Sequence, residues 1–168
     1  MSDLTKLIAP SFYGVHHDIK AGRHTHYWLK GGRGSTKSSF ISVEIILGMM
    51  QDAAANALVL RKVAVNLKDS VYEQLLWAIE ALGVENLWQA KLSPLQLSYL
   101  PTGQRILFRG ADEPKKIKST KFRKGYCKYI WYEEADEFAG MQEIRTINQS
   151  LMRGGSSFFV FYSYNPPK

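Results

Sequence analysis

The sequence predicts an α/β fold, in which a mostly parallel β-sheet is covered by helices on both faces and carries a β-hairpin insertion. Short apolar runs alternate along the chain with longer segments of helical spacing, which indicates strands alternating with helices. These runs are apolar throughout, as is typical of parallel strands buried on both faces. With 168 residues, the chain is long enough for one domain with a substantial core.

The strands and helices can be assigned in order along the chain. Apolar runs predict strands over residues 27–29, 57–60, 126–132 and 157–162. Helices are predicted over 37–50, 66–82 and 144–152, and Gly83 stands where it would end the second of them. Residues 95–100 and 104–109 flank Pro101-Thr102-Gly103, which predicts the hairpin.

Composition excludes several classes of protein. Hydrophobic residues make up 45% and charged residues 22%, which are ordinary values for a globular protein. The start of the chain lacks the pattern of a signal peptide, and the longest apolar stretch falls well short of the roughly 20 residues that span a bilayer. A single cysteine, Cys127, excludes an internal disulfide, and the 4 histidines form no cluster of metal-ligand spacing. We therefore expect a reducing compartment, the cytosol, and no membrane contact.

Residues 31–38, GGRGSTKS, have the spacing of a phosphate-binding P-loop between a predicted strand and a predicted helix. Such a loop turns successive backbone N–H groups toward the phosphates, and the following helix adds its N-terminal dipole. Lys37 would reach the β- and γ-phosphates, and the Ser38 hydroxyl would be a ligand of Mg²⁺. The predicted ATP-binding residues are Gly31, Gly32, Arg33, Gly34, Ser35, Thr36, Lys37, Ser38 and Ser39.

One position departs from the P-loop pattern, because Thr36 stands where the second glycine is expected. A β-branched residue there must keep a conformation that does not crowd the phosphates. The alternative interpretation is an ordinary glycine-rich turn with a solvated Lys37.

An acid pair ends the strand predicted over 126–132. Glu133 is predicted to hold the metal ion, and Glu134 to activate the attacking water. Adjacent residues of an extended strand point to opposite faces, so the strand must end or bend here if both acids face the phosphates. The alternative is a solvated acidic cluster at the start of a helix. Its position about 95 residues after the P-loop favours a partner motif and predicts a P-loop NTPase of the RecA-like, ASCE type.

Together these segments resemble the N-terminal ATPase domain of phage large terminases, the motors that package DNA into procapsids. The resemblance covers nearly the whole chain and rests on GGRGSTKSS, FRGADEPKKIKS, YIWYEEADEF and FYSYNPP, at residues 31–39, 108–119, 129–138 and 161–167. It implies ATP and Mg²⁺ as cofactors. It also implies double-stranded DNA, other terminase subunits in a ring, a small terminase subunit and a portal protein as partners, in the bacterial host cytoplasm.

The resemblance adds further site residues. Ser163, Tyr164 and Asn165 match the coupling motif that senses the γ-phosphate, although Asn-Pro-Pro is also a strong turn signal. Arg33 matches an arginine that stabilises transition-state charge and is the third expected catalytic residue beside Glu134 and Lys37. The nuclease domain of a complete large terminase has no match, so residues 1–168 are expected to be an ATPase domain of a longer chain, without nuclease activity.

A basic segment carries the excess charge. Residues 115–128 include 7 of the 22 basic residues and no acid, while the remaining 15 balance the 15 acids to leave a net charge of +7. This segment could be a solvated loop, a contact for DNA phosphates, or the source of an arginine (Arg123 or Arg109) for a neighbouring subunit's ATP. The residues considered are Lys115, Lys116, Lys118, Lys121, Arg123 and Lys124.

Two other functions remain open at this stage. One is another RecA-like DNA-dependent ATPase, such as a helicase, which would add a second motor domain. The other is a nucleotide-dependent binding switch with little turnover. A kinase is disfavoured, because the sequence shows no arginine-rich lid and no acceptor site.

Overall fold

The computed structural model of the chain describes residues 4–32 and 36–167, and its strands form a seven-stranded sheet. The strands are β1 (His26–Lys30), β2 (Ala55–Arg61), β3 (Trp88–Leu92), β4 (Leu95–Tyr99), β5 (Gln104–Gly110), β6 (Tyr126–Glu133) and β7 (Phe159–Tyr164). Their order is β1-β7-β6-β2-β5-β4-β3. The first five in this order run parallel, whereas β4 and β3 are antiparallel to their neighbours. The predicted mostly parallel sheet is confirmed.

Helices cover both faces of this sheet. They are α1 (Leu4–Leu7), α2 (Tyr13–Ala21), α3 (Lys37–Gln51), α4 (Glu73–Ala81), α5 (Pro114–Lys118) and α6 (Met141–Leu151). One core joins α2, α3 and α4 to alternate strand residues such as Val59 and Trp131. A second core joins α5 and α6 to the intervening residues, such as Leu60 and Tyr132. Strands β2, β6 and β7 are therefore buried on both sides, which is why their sequences are largely apolar.

The hairpin is larger than the sequence indicated. The predicted β4–β5 hairpin is present, and its second arm, β5, also pairs in parallel with β2. Strand β3, which was not predicted, adds a further antiparallel strand at the sheet edge. Only Trp88 of β3 is buried, and residues 89–92 are exposed, so this strand lacks the apolar signal of the others.

The predicted helix over 66–82 begins irregularly. A 3₁₀ turn (Ala64–Asn66) and a π-helical turn (Lys68–Tyr72) precede α4. Within the π turn, Tyr72 N–H donates to the carbonyl of Leu67 at 3.2 Å, and the Ser70 hydroxyl donates to the carbonyl of Asn66 at 2.6 Å. π turns are frequent at functional sites, and this one lies beside the end of β6.

Across residues 4–32 and 36–167, no helix is both long and apolar enough to cross a membrane. Over the same ranges, no group of three or more His, Cys, Asp or Glu side chains is arranged to hold a metal ion. Cys127 is a buried free thiol.

Candidate active site

The order of the strands brings three polar segments together at one edge of the sheet. Strand β7 lies between β1 and β6, and all three run parallel. The residues that follow β1, β7 and β6 therefore leave the sheet side by side at its carboxyl edge. Ligands of open α/β sheets bind at this edge.

Lys37 is the first residue of α3 and joins the loop after β1 to the segment after β7. Its Nζ donates a hydrogen bond to the carbonyl of Gly31 at 2.8 Å and another to Asn165 Oδ1 at 3.0 Å. The second bond links side chains that are 128 positions apart in the sequence. Ser38 and Ser39 follow in the first turn of the 15-residue helix, whose N-terminal N–H groups are suited to bind an anion. The predicted residues Arg33, Gly34 and Ser35 lie outside the described residues.

Thr36 has the backbone conformation that a glycine would have adopted. Its φ and ψ angles are 65° and 12°, in the left-handed region that β-branched residues rarely enter. Thr36 and Glu134 are the two non-glycine residues with positive φ in the part of the chain that the structure describes. Such strain is concentrated at functional sites. Thr36 thus adopts this conformation despite the departure from the glycine pattern.

Paired substitutions test this strain. We expect Thr36→Gly to be more stable than Thr36→Ala by about 1 kcal/mol, because only glycine enters the left-handed region without steric cost. Both variants lose the hydroxyl and methyl groups of threonine and differ only in Cβ, so their difference reports on the cost of a Cβ in this backbone conformation. Urea denaturation of the two proteins measures it, and equal free energies of unfolding would contradict the interpretation.

The acid pair occupies the bend that the sequence required. Strand β6 ends at Glu133, and Glu134 has left-handed angles of φ 53° and ψ 51° before the 3₁₀ turn Ala135–Glu137. The chain therefore turns at Glu134 and does not continue the alternation of the strand. This turn lets both carboxyl groups lie at the same edge of the sheet.

Glu133 is a strongly perturbed carboxyl group. Burial raises its pKa from the ordinary value of 4.5 to about 7, while the charge of Arg61 opposes this rise and the charge of Glu134 adds to it. Its Oε2 atom is buried and has no hydrogen-bond partner among the described residues. A buried carboxylate oxygen of this kind fits a hydrated Mg²⁺ ion, and the Ser38 hydroxyl would supply a second oxygen ligand.

The raised pKa of Glu133 predicts a pH dependence of stability. Because the folded state keeps the Glu133 proton up to about pH 7 and the unfolded state loses it near pH 4.5, the free energy of unfolding should fall as the pH rises between these values. Glu133→Gln removes this titrating proton. The free energy of unfolding of the variant, relative to that of wild type, should therefore increase by up to about 3 kcal/mol between pH 5 and pH 8. Denaturation at both pH values, without nucleotide or magnesium, measures the difference. Asp136→Asn, in the exposed turn nearby, is the control, and a pH-independent difference for Glu133→Gln would contradict the assignment.

A cavity of about 560 Å³ lies between the start of α3, the helical segment 68–81 and the end of β6. Ser38 and Glu133 both line it, together with Ser70, Gln74 and Trp77. Gln74 Nε2 donates to Ser39 Oγ at 3.3 Å, which connects α4 to the P-loop helix. The cavity unites the two predicted metal ligands, and Gln74 is a neighbour that no sequence motif indicated.

The three residues of the predicted coupling motif lie in different environments. Asn165 contacts Lys37, as described above. Ser163 is buried, and its Oγ accepts a hydrogen bond of 2.9 Å from the indole nitrogen of Trp131. Tyr164 packs edge-on against Trp28, with 6.2 Å between the ring centroids. The structure thus brings Asn165 to the P-loop and fixes Ser163 inside the sheet.

The basic segment runs from one edge of the sheet to the other. Lys115, Lys116 and Lys118 belong to α5, which follows the carboxyl end of β5, whereas Lys121, Arg123 and Lys124 lie before the amino end of β6; all six are exposed.

Arg109 is tied to its own chain. It donates through Nε to Thr120 Oγ1 at 3.1 Å and through Nη1 to the carbonyl of Phe108 at 3.0 Å. These bonds favour the exposed Arg123 over Arg109 as an arginine that could reach another subunit.

The sheet order, the P-loop and the acid pair define a P-loop NTPase fold of the RecA-like type. A family model described as phage terminase large subunit matches residues 23–168, and the chain belongs to this family. It is 44% identical to the terminase large subunit of Bacillus phage SPP1 over 169 residues, covering 98% of this chain and 40% of that protein. It is 35% identical over 122 residues to the PBSX phage terminase large subunit of Bacillus subtilis (strain 168), covering 71% of this chain and 27% of that protein.

Solved structures show the same fold at low sequence identity. The large terminase of bacteriophage HK97 matches with a TM-score of 0.69 at 14% identity, covering 93% of this chain and 33% of that chain. The N-terminal domain of the DNA packaging ATPase from bacteriophage phi29 matches with a TM-score of 0.69 at 12% identity, covering 92% of this chain and 79% of that domain. The chain spans about 40% of the length of the SPP1 relative.

Proposed function

We propose that this chain hydrolyses ATP to drive the packaging of double-stranded viral DNA into procapsids, as the ATPase domain of a large terminase subunit. The observation that carries the proposal is the bond between Lys37 and Asn165 at the edge where β6 ends at Glu133 and the chain turns at Glu134. Through it, the lysine of a phosphate-binding loop contacts the segment after the neighbouring strand. A γ-phosphate that attracts Lys37 would compete with Asn165, which gives a direct route from the nucleotide to the rest of the chain.

The proposed roles follow from chemistry and position. Gly31 to Ser39 would bind the triphosphate, and Lys37 and Arg33 would stabilise the charge that develops on it. Ser38 and Glu133 would hold Mg²⁺, which neutralises phosphate charge when bound. Glu134 would accept a proton from the attacking water. Asn165 would respond to the γ-phosphate directly, and Ser163 would act through its bond to Trp131 on strand β6.

The proposed partners are double-stranded DNA, further copies of the subunit in a ring, a small terminase subunit and a portal protein, in the bacterial host cytoplasm. The exposed lysines of residues 115–124 support a contact with DNA phosphates. A likeness to the phi29 viral genome packaging motor assembly, with a TM-score of 0.65 at 11% identity, supports a multi-subunit motor. We further propose that residues 1–168 form one ATPase domain and carry no nuclease centre.

Phosphate release by the protein assembled with its partner subunits tests this function. We expect ATP turnover that double-stranded DNA stimulates, accompanied by movement of intact duplex. Tight ATP binding without phosphate release, even with DNA and partners present, would instead identify a nucleotide-dependent switch. Separation of the duplex strands would identify a helicase.

A further inference from the structure

Arg61 is the last residue of β2 and lies at the same edge of the sheet as the acid pair. Leu60 pairs with Tyr132 in the register of β2 and β6, so Arg61 and Glu133 follow one step further along adjacent strands. The Arg61 side chain is only 14% exposed. Because an arginine cannot lose its charge by deprotonation in a protein, its burial here requires compensating partners.

Two acidic residues, Glu137 and Glu133, interact with the charge of Arg61. Its Nη2 donates to Glu137 Oε1 at 3.1 Å. Its charge is also the strongest that favours the ionised form of Glu133. Arg61 Nε and Glu133 Oε2 are both buried without a hydrogen-bond partner among the residues that the structure describes. The guanidinium thus interacts with both acids and keeps one N–H donor, Nε, without a partner among the described residues.

Glu137 connects Arg61 to the catalytic turn. Its N–H donates to the carbonyl of Glu134 at 2.9 Å, which closes the 3₁₀ turn that follows this residue. The left-handed conformation of Glu134 is sterically unfavourable and persists only where the surroundings fix it. The ion pair between Arg61 and Glu137 is one such constraint.

We propose that Arg61 is a positioning residue for the hydrolytic site. It orients the Glu133 carboxylate and, through Glu137, holds the turn in which Glu134 is left-handed. This inference rests on the proposed role of the acid pair in ATP hydrolysis, but its structural part can be measured without nucleotide.

The neighbouring residue provides a matched control. Lys62 pairs with Glu143 at 2.9 Å, and Glu143 Oε1 also accepts a hydrogen bond from the Ala139 N–H. This ion pair joins the same end of β2 to the segment after the acid pair, but among the described residues neither member forms a hydrogen bond or ion pair with Glu133 or Glu137. A general loss of surface charge would affect the Arg61 and Lys62 variants equally.

Amide hydrogen exchange in the absence of nucleotide tests the structural part. We expect Arg61→Gln to increase exchange at Glu137 and Phe138 by about threefold to tenfold, while Ile147 in α6 stays unchanged. If Arg61→Gln does not fold, Glu137→Gln breaks the same ion pair at its half-exposed member. It should increase exchange at the same two amides. Arg61→Lys should restore part of the protection, whereas Lys62→Gln should leave Glu137 unchanged. Wild-type exchange in both Arg61→Gln and Glu137→Gln, or an equal effect of Lys62→Gln, would overturn the proposal.

Kinetics in the assembled protein test the catalytic part. Arg61→Gln should lower kcat for ATP by about tenfold or more and change KM by less than about twofold, because the residue does not touch the nucleotide. Lys62→Gln should retain kcat. A normal kcat in Arg61→Gln would overturn the role of Arg61 and leave the proposed function intact. A wild-type protein that never releases phosphate would refute the proposed function, while the exchange pattern would still report on the turn.

Discussion

Glu134→Gln is expected to bind ATP like the wild type and to lower kcat by about 10²-fold or more, the usual contribution of a general base. Glutamine has nearly the same shape as glutamate and can adopt the left-handed backbone of residue 134 at a similar cost. The change therefore removes the proton acceptor and leaves the P-loop untouched. Steady-state phosphate release and equilibrium nucleotide binding together measure the effect.

The acidic cluster around Glu134 supplies the control for this experiment. Asp136→Asn is the same acid-to-amide change two residues further on, at an exposed position of the turn. It should retain turnover, because among the described residues Asp136 forms no hydrogen bond or ion pair with Ser38 or Glu133. Unchanged hydrolysis in Glu134→Gln would refute the role of Glu134, and a loss of nucleotide binding would show that its carboxylate acts in the ground state.

Lys37→Ala should lower the affinity for ATP by about 10-fold to 10²-fold, because it removes a charge-assisted hydrogen bond to the phosphates. The same change frees Asn165 Oδ1, which accepts a bond from Lys37 at 3.0 Å. The segment after β7 should then exchange its amide hydrogens at the same rate with and without ATP. Fluorescent-nucleotide titration and hydrogen exchange measure the two effects.

Lys20, a lysine of α2 that contacts the far end of α3, serves as the control for Lys37. Lys20 Nζ donates to Gln51 Oε1 at 2.5 Å, at the last residue of α3. Lys20→Ala removes an equal charge and a comparable bond, and it should leave ATP affinity unchanged. Equal affinities of Lys37→Ala and wild type would refute the P-loop interpretation.

The parts of the site that are contiguous in sequence were predictable. The P-loop and the acid pair each lie within about nine residues, and each requires a strand before it. The sequence also indicated two steric requirements: residue 36 must take a conformation that suits glycine, and the chain must bend after Glu133. The structure meets them in the same way, with a left-handed residue at each position.

The contacts between segments could not be predicted from local patterns. Asn165 reaches Lys37 because β7 lies between β1 and β6, and strand order does not follow sequence order. The role of Arg61 could not be predicted for the same reason, because it depends on the adjacent residue of β6, Glu133, and the sequence does not show that β2 and β6 are neighbours. Strand β3 was missed because its exposed residues show no apolar run.

The central claim is that one edge of the sheet binds Mg²⁺ and ATP between the P-loop and the acid pair. A crystal structure of the chain with Mg²⁺ and a non-hydrolysable ATP analogue tests this claim most directly. We predict the triphosphate against residues 31–38, with Lys37 moved from Gly31 and Asn165 to the phosphates and the metal beside Ser38 and Glu133. A nucleotide bound elsewhere, or a metal remote from Glu133 with Lys37 still bonded to Asn165, would contradict the account.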